Sequence, residues 1–129
     1  MASPTGCAKM DEFTRGYIEC ALWSSTTGDD MGTPLDSIDA ELSADALASM
    51  TADCVQFQEA NRALLDEARE TRADDHLGHD FWLTRNRHGS GFWDRSELSK
   101  ELQTALTDAA HAMGEVDLYV SDSGEVEQA

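Results

Sequence analysis

The sequence predicts an α+β fold in which about three helices pack against a small antiparallel sheet of three or four strands that contains a central hairpin. Two observations carry this prediction. Apolar residues recur at gaps of three and four positions in three segments, as on the buried face of a helix. Shorter segments in the second half of the chain alternate with a period of two, as strands do. The 129 residues fit a single domain with one modest core.

The first half of the chain predicts two helices. The first covers about residues 11–24 and contains Gly16, which costs about 1 kcal/mol relative to alanine inside a helix. Ser43 is a good N-cap for the second helix, whose apolar stripe continues to about residue 69. Residues 1–9 contain proline and glycine and are expected to be a disordered lead.

A β-hairpin is predicted for residues 81–93. The side chains over 81–84 alternate with period two, as on the two faces of a strand. Residues 86–91 contain two glycines and supply turn chemistry, and the extended run resumes at 92–93. The hairpin loop is therefore expected to be longer than a tight two-residue turn.

The last third of the chain predicts a helix followed by strands. Ser96 is the expected N-cap of this third helix, whose apolar stripe ends at Gly114. Residues 116–120 alternate as a third strand with one buried face. Residues 121–124 form a turn, and 125–127 return as a short edge strand.

The charge balance is extreme, with 26 acidic against nine basic residues and a net charge of −17. Such a surface repels nucleic acid and anionic membranes and attracts basic proteins. Three interpretations stay open: solubility in a salty or crowded cytoplasm, imitation of a nucleic-acid backbone to occupy a DNA-binding protein, and choice of another kind of partner. The few lysines and many alanines suggest a GC-rich or halophilic source, which weakens the mimic interpretation.

Cysteine usage points to a reducing cytoplasm. The three cysteines, Cys7, Cys20 and Cys54, form no CxxC pair, which argues against both a disulfide framework and a thiolate zinc site. Cys20 and Cys54 fall within helical patterns and are expected to be small buried hydrophobic residues. No signal peptide is visible, and no apolar run approaches the roughly 18 residues of a membrane span.

A binding site is expected in residues 79–95. This window is rich in aromatic residues and has a net positive charge, three arginines against two aspartates, in a strongly acidic chain. Arginine beside exposed aromatic rings can bind a protein hot spot or a single-stranded base. The competing interpretation is that these arginines pair with the chain's own carboxylates. The candidate binding residues are Trp82, Arg85, Asn86, Arg87, His88, Trp93 and Arg95.

A metal site is the alternative for the same window. His79, Asp80, His88 and Asp94 are residue types that coordinate metals, and a hairpin would bring its two ends together. A metal-dependent hydrolase or nuclease would use His79, Asp80 and His88 for catalysis. The spacing matches no metal motif of known mechanism, and the competing interpretation is that the histidines cap turns. An HNH-type set is also present in order, although the loop is short for that fold and the acidic body opposes DNA: His79, Asn86 and His88 ahead of a helix that carries His111.

The window resembles the signature of a family of small acidic proteins encoded by bacteriophages and related elements. That signature reads GHDFWLTRNGHGAGFWDR, and the chain carries GHDFWLTRN at 78–86, HG at 88–89 and GFWDR at 91–95. GEVDLYV at 114–120 and YIECALWSS at 17–25 fit the same family, so the resemblance covers most of the chain.

Two positions depart from that signature. Arg87 stands where glycine is usual, and Ser90 stands where alanine is usual. Arginine makes a positive backbone angle less comfortable, so the turn is expected to differ. The family has no established activity, so the resemblance implies a viral accessory protein in a host cytoplasm and transfers no catalytic residue.

The resemblance therefore implies a viral accessory protein, and a non-enzymatic role without a cofactor is expected ahead of the metal-dependent alternative. It is expected to bind a host or viral macromolecule in the host cytoplasm. A protein partner is expected, with a basic nucleic-acid-binding protein as one candidate, while nucleic acid and membrane are not expected to bind directly. The hairpin would be the recognition element or its support, and the oligomeric state stays open.

Overall fold

A computed structural model describes residues 11–24, 41–87, 91–122 and 124–128. The described residues form five α-helices, one short 3-10 helix and a two-stranded antiparallel sheet, so the prediction of three helices on a sheet of three or four strands is wrong. The predicted disordered lead lies outside the described residues. The elements are α1 (Glu12–Ser24), α2 (Ala44–Ala60), α3 (Arg62–Ala68), α4 (Asp74–Arg85), the 3-10 helix (Phe92–Asp94), α5 (Lys100–Ala112), β1 (Leu118–Val120) and β2 (Val126–Gln128).

Helices α1 and α4 cross in direct backbone contact. A Cβ atom added to Gly16 of α1 would lie 2.0 Å from the carbonyl oxygen of Asp75. One added to Gly78 of α4 would lie 2.0 Å from the carbonyl oxygen of Phe13. The close approach explains why a glycine stands inside each helix despite its low helix propensity, because no side chain fits between the two backbones.

Aromatic rings from four elements build the centre of the core. Phe57 of α2 stacks on Phe81 of α4 with ring centroids 4.1 Å apart, and on Phe92 of the 3-10 helix at 6.1 Å. Phe13 and Tyr17 of α1 pack against the same Phe81 ring. All five rings are buried, so this cluster joins α1, α2, α4 and the 3-10 helix into one core.

The second predicted helix is divided in two. Ser43 caps α2 as expected, since its Oγ accepts a hydrogen bond from the Ala46 amide at 3.0 Å. The helix breaks at Asn61, where the side-chain amide donates to the Phe57 carbonyl at 2.9 Å. An asparagine side chain that bonds to the preceding turn competes with the helical backbone, so α3 starts as a separate short helix.

The C-terminal elements follow the prediction more closely. Helix α5 begins after Ser99, not after Ser96, because the Ser99 Oγ accepts from the Leu102 amide at 3.2 Å. Gly114, with φ of +82°, follows the end of this helix as predicted. β1 pairs antiparallel with β2 in the register Val120 to Val126, which confirms the last two predicted strands.

Backbone hydrogen bonds connect the sheet to the segment just before α2. The Val126 amide donates to the Glu41 carbonyl at 2.8 Å, and the Ser43 amide donates to the Val126 carbonyl at 3.0 Å. The Ser43 hydroxyl also donates to a carboxylate oxygen of Glu127 at 2.6 Å. Strand β2 therefore lies between β1 on one side and the 41–43 segment on the other.

The predicted hairpin does not form, because residues 81–85 lie in α4 and residues 92–94 form the 3-10 helix. Four alternating residues also fit a helix that is buried on nearly every side. Asp80, Thr84 and Arg85 are buried along with the aromatic residues of α4, and over residues 79–85 only His79 and Leu83 are partly exposed, so little of a polar face marks the helical period there. The 3-10 helix is held on α4 by the Phe92 amide, which donates to the Thr84 hydroxyl at 3.0 Å.

Candidate functional site

The 79–95 window contains one fully buried carboxylate. Asp80 of α4 has no exposed surface, and two arginines bind it. Arg72 donates from Nε to Oδ2 at 2.7 Å and from Nη2 to Oδ1 at 3.2 Å, while Arg95 donates from Nε to Oδ1 at 2.8 Å. Arg72 also contacts Glu97 at 3.0 Å. Burial opposes the charge of Arg72, but the hydrogen bonds that it donates to Asp80 and Glu97, together with their negative charges, prevail and raise its pKa.

Arg85 is a second buried charge on α4, with 3% of its surface exposed. Its guanidinium lies 5.3 Å from the Phe81 ring centroid, as in a cation–π contact. Two of its acceptors are backbone carbonyls directly after the end of α5, which have no amide of a following helical turn to bind. It donates to the Tyr17 hydroxyl (3.1 Å), Asp53 (2.8 Å) and the carbonyls of Met113 (3.1 Å) and Gly114 (2.8 Å).

Trp82 and Asn86 also connect parts of the fold. Trp82 is buried, and its indole nitrogen donates to the Ser24 hydroxyl at 2.8 Å at the end of α1. The Asn86 amide donates to the Trp82 carbonyl at 3.1 Å, and its oxygen accepts from the Val116 amide at 2.8 Å. These side chains therefore hold α1, α4 and the segment before β1 together, and little of them is available to a partner.

Three candidate binding residues lie at or near the surface. Arg87 is exposed, has φ of +58°, and lies 3.5 Å from a carboxylate oxygen of Glu115. Arg87 thus adopts the left-handed backbone conformation that glycine favours, although the arginine side chain makes this angle less comfortable. Trp93 is 47% exposed on the 3-10 helix, and Arg95 is partly exposed beside Asp80. His88 lies outside the described residues.

The structure does not gather the alternative metal ligands around Asp80. Both Asp80 oxygens accept hydrogen bonds from arginine, and Asp94 is exposed on the 3-10 helix. His79 lies near His76, with ring centroids 6.1 Å apart. Partial burial and the neighbouring His76 lower the pKa of His79. Within the described ranges, no three His, Cys, Asp or Glu side chains are placed to hold a metal ion.

The arginines leave few free positive charges on the surface. All seven lie in the described residues, and six form salt bridges with the chain's own carboxylates: Arg15, Arg69, Arg72, Arg85, Arg87 and Arg95. Most acidic side chains of the described helices and loops are exposed. The competing sequence interpretation, internal pairing of the arginines, therefore describes this part of the chain.

Sequence reasoning missed one surface feature, which lies on the C-terminal sheet. Leu118 and Val126 point into the core, so Tyr119 and its cross-strand partner Glu127 point outward. Tyr119 is 48% exposed, and Asp117 and Glu125 are exposed at the two ends of the same face. We call these four residues the acidic sheet face. The signal was present in the alternation at 116–120, which places Tyr119 opposite the buried side of the strand.

The cysteines behave as small core residues. Cys20 and Cys54 are free and buried, as predicted, while Cys7 lies outside the described residues. Burial, with the nearby Asp80 charge, raises the pKa of Cys20 to about 12. Burial likewise raises the pKa of Cys54. Both thiols are therefore protonated at neutral pH and poor nucleophiles.

Comparison with known proteins found no matching family model, no similar curated protein and no similar solved structure. In the part of the chain that the structure describes, no helix combines the length and the apolar character needed to cross a membrane.

Proposed function

We propose that this chain is a non-enzymatic viral accessory protein that acts by binding a basic protein in the host cytoplasm, with a DNA-binding protein as the favoured partner. The observation that carries the proposal is the internal pairing of six of the seven arginines. Because those cations face carboxylates of the same chain, the surface offers a partner mainly the excess acid of a chain with net charge −17.

This distribution favours a basic protein over nucleic acid as the partner. A strongly negative surface accelerates encounter with a positive one and opposes approach to phosphates. The same groups that a DNA-binding protein uses for phosphates would contact the exposed carboxylates of the chain. The positive window of the sequence does not counter this charge, since Arg85 is buried, Arg95 pairs with Asp80 and Arg87 lies 3.5 Å from a Glu115 oxygen.

The test is competition with DNA for a basic DNA-binding protein. A labelled duplex is bound to a purified HU-class nucleoid protein at about 50 mM salt, and the unlabelled chain is added. We expect the chain to displace the duplex, with an affinity that falls steeply as the salt concentration rises. No displacement and no direct association with the HU-class protein at low salt would contradict the proposal.

Charge-reversal variants make the test specific. Glu41 and Asp45 are exposed at the start of α2, so Glu41→Lys with Asp45→Lys changes the surface charge without a buried partner. We expect this variant to bind more weakly than the natural chain. Asp53 is left unchanged because it pairs with the buried Arg85 at 2.8 Å, and its reversal would test the fold instead.

A further inference from the structure

The outer edge of β1 pairs with no strand among the described residues, although its Leu118 amide donates to the side chain of Asp117 at 3.2 Å. Val126 uses both its backbone amide and its carbonyl for the 41–43 segment, so these groups point away from β1. In an antiparallel pair, when one residue turns its backbone amide and carbonyl away from the partner strand, the residue directly opposite does the same. Val120 lies opposite Val126, so the amide and carbonyl of Val120 lie on the outer edge of β1.

The acidic sheet face lies beside this open edge. Tyr119 is at its centre, half-exposed, with Glu127 directly across the sheet and Asp117 and Glu125 at the ends. The Glu127 carboxylate already accepts a hydrogen bond from the Ser43 hydroxyl at 2.6 Å, which holds the Glu127 side chain in place on this face. Asp117 and Glu125 are exposed at the two ends, where a cation can reach them.

We propose that the outer edge of β1 and the acidic sheet face bind an extended segment of the partner that is rich in lysine and arginine. The segment would add to β1 as a third strand, because the outward backbone groups of Val120 offer strand pairing. Its alternate side chains would then lie beside Tyr119, where a cation meets the ring and the carboxylates of Asp117 and Glu125.

This proposal specifies the chemistry of the partner in the proposed function, and it rests on that function. An extended basic segment is favoured over a second copy of the chain, since two acidic faces repel each other. It is favoured over a nucleic-acid strand for the same reason. Tyrosine is also one of the residue types in which binding energy concentrates at protein interfaces.

The test measures binding of a labelled peptide with alternating arginine and valine to the full chain by fluorescence anisotropy. Tyr119→Ala should weaken binding by about two- to fivefold, the range of an exposed cation–π contact, while Tyr119→Phe keeps the ring and should bind as the natural chain does. Asp117→Asn with Glu125→Gln should weaken it by about two- to tenfold, as expected for two surface ion pairs. Circular dichroism of each variant checks that the fold is kept.

A charge-matched control separates this site from the general acidity of the chain. Glu67→Gln with Asp108→Asn removes the same charge from exposed positions on α3 and α5 and should change binding by less than about twofold. If the control weakens binding as much as the sheet-face pair, or if Tyr119→Ala has no effect, the site is wrong while the proposed function stands. If the natural chain binds neither the peptide nor the HU-class protein, the proposed function itself is wrong and the site falls with it.

Discussion

Replacement of Asp80 by asparagine should destabilise the protein strongly, because the Asp80 carboxylate is the shared acceptor of a buried ion-pair network. Three hydrogen bonds from Arg72 and Arg95 converge on a side chain with no exposed surface. Removing one member of a buried pair costs about 3–5 kcal/mol when the remaining charge stays buried. Here the two arginine side chains keep 13% and 23% of their surface in contact with solvent, which moderates the cost.

Asparagine also retains one oxygen acceptor, so we expect a loss of about 3 kcal/mol in the free energy of unfolding, toward the lower end of that range. This is a large share of the roughly 5–15 kcal/mol of a typical domain. Urea unfolding followed by far-UV circular dichroism measures it. Asp94→Asn is the matched control, because this neighbouring aspartate is exposed and should change the stability by less than about 0.5 kcal/mol.

A loss below about 1 kcal/mol for Asp80→Asn would refute the reasoning, since a surface ion pair has that value. It would mean that water reaches the carboxylate and that the network does not hold the 3-10 helix region on α4. A second measurement guards against a general effect of the substitution. Arg95→Met should lower the free energy of unfolding much less in the Asp80→Asn background than in the natural chain, because the two residues share one interaction.

Three further changes test the fold and its pH dependence. Gly16→Ala should destabilise by about 1–3 kcal/mol in thermal or urea unfolding despite the better helix propensity of alanine, since its Cβ would meet the Asp75 carbonyl; a gain in stability would contradict the close helix crossing. Asp11→Ala should cost about 1 kcal/mol, because its carboxylate accepts from the Thr14 amide at 2.7 Å and caps α1; an unchanged urea midpoint would exclude this role. The pKa of His79 in the folded protein lies below its ordinary value of 6.5, so the unfolded chain takes up a proton at this histidine first as the pH falls. The neutral His79 side chain therefore contributes to stability above pH 6.5, and this contribution is lost as the pH falls below 6.5. The fall in stability between about pH 7.5 and 5.5 should be shallower in His79→Gln, and an equal slope would show that other groups cause it.

Elements whose polar residues face solvent were predictable from the sequence. The stripes of α1 and α5 and the alternation of β1 follow the standard periods, so these elements were found within a few residues of their true bounds, whereas only the start of α2 was placed correctly and its break at Asn61 was missed. The Ser99 start of α5 was missed by three positions because Ser96 offers the same cap chemistry. Gly16 counted against a helix in the sequence, although the close contact with α4 requires a glycine there.

Helix α4 was not predictable in this way, and the reason is physical. A pattern of hydrophobic residues reports a helix only when polar side chains mark the outer face. In α4 the charged residues Asp80 and Arg85 are buried because partners distant in sequence neutralise them, namely Arg72, Arg95 and Asp53. Nothing local in the sequence reveals such pairs, so residues 81–84 of this helix were interpreted as a strand.

The same burial changes how the charge of this chain should be interpreted. A count along the sequence finds a positive window in an acidic protein and predicts a basic patch. The structure places those cations against internal carboxylates, so Arg85 and Asp80 hold the core together and contribute little to the surface field. Trp93 of the window and Tyr119 of the sheet are similarly exposed, but Tyr119 lies on a face with the exposed carboxylates of Asp117 and Glu125, which is why the proposed sheet face is the surface to test first.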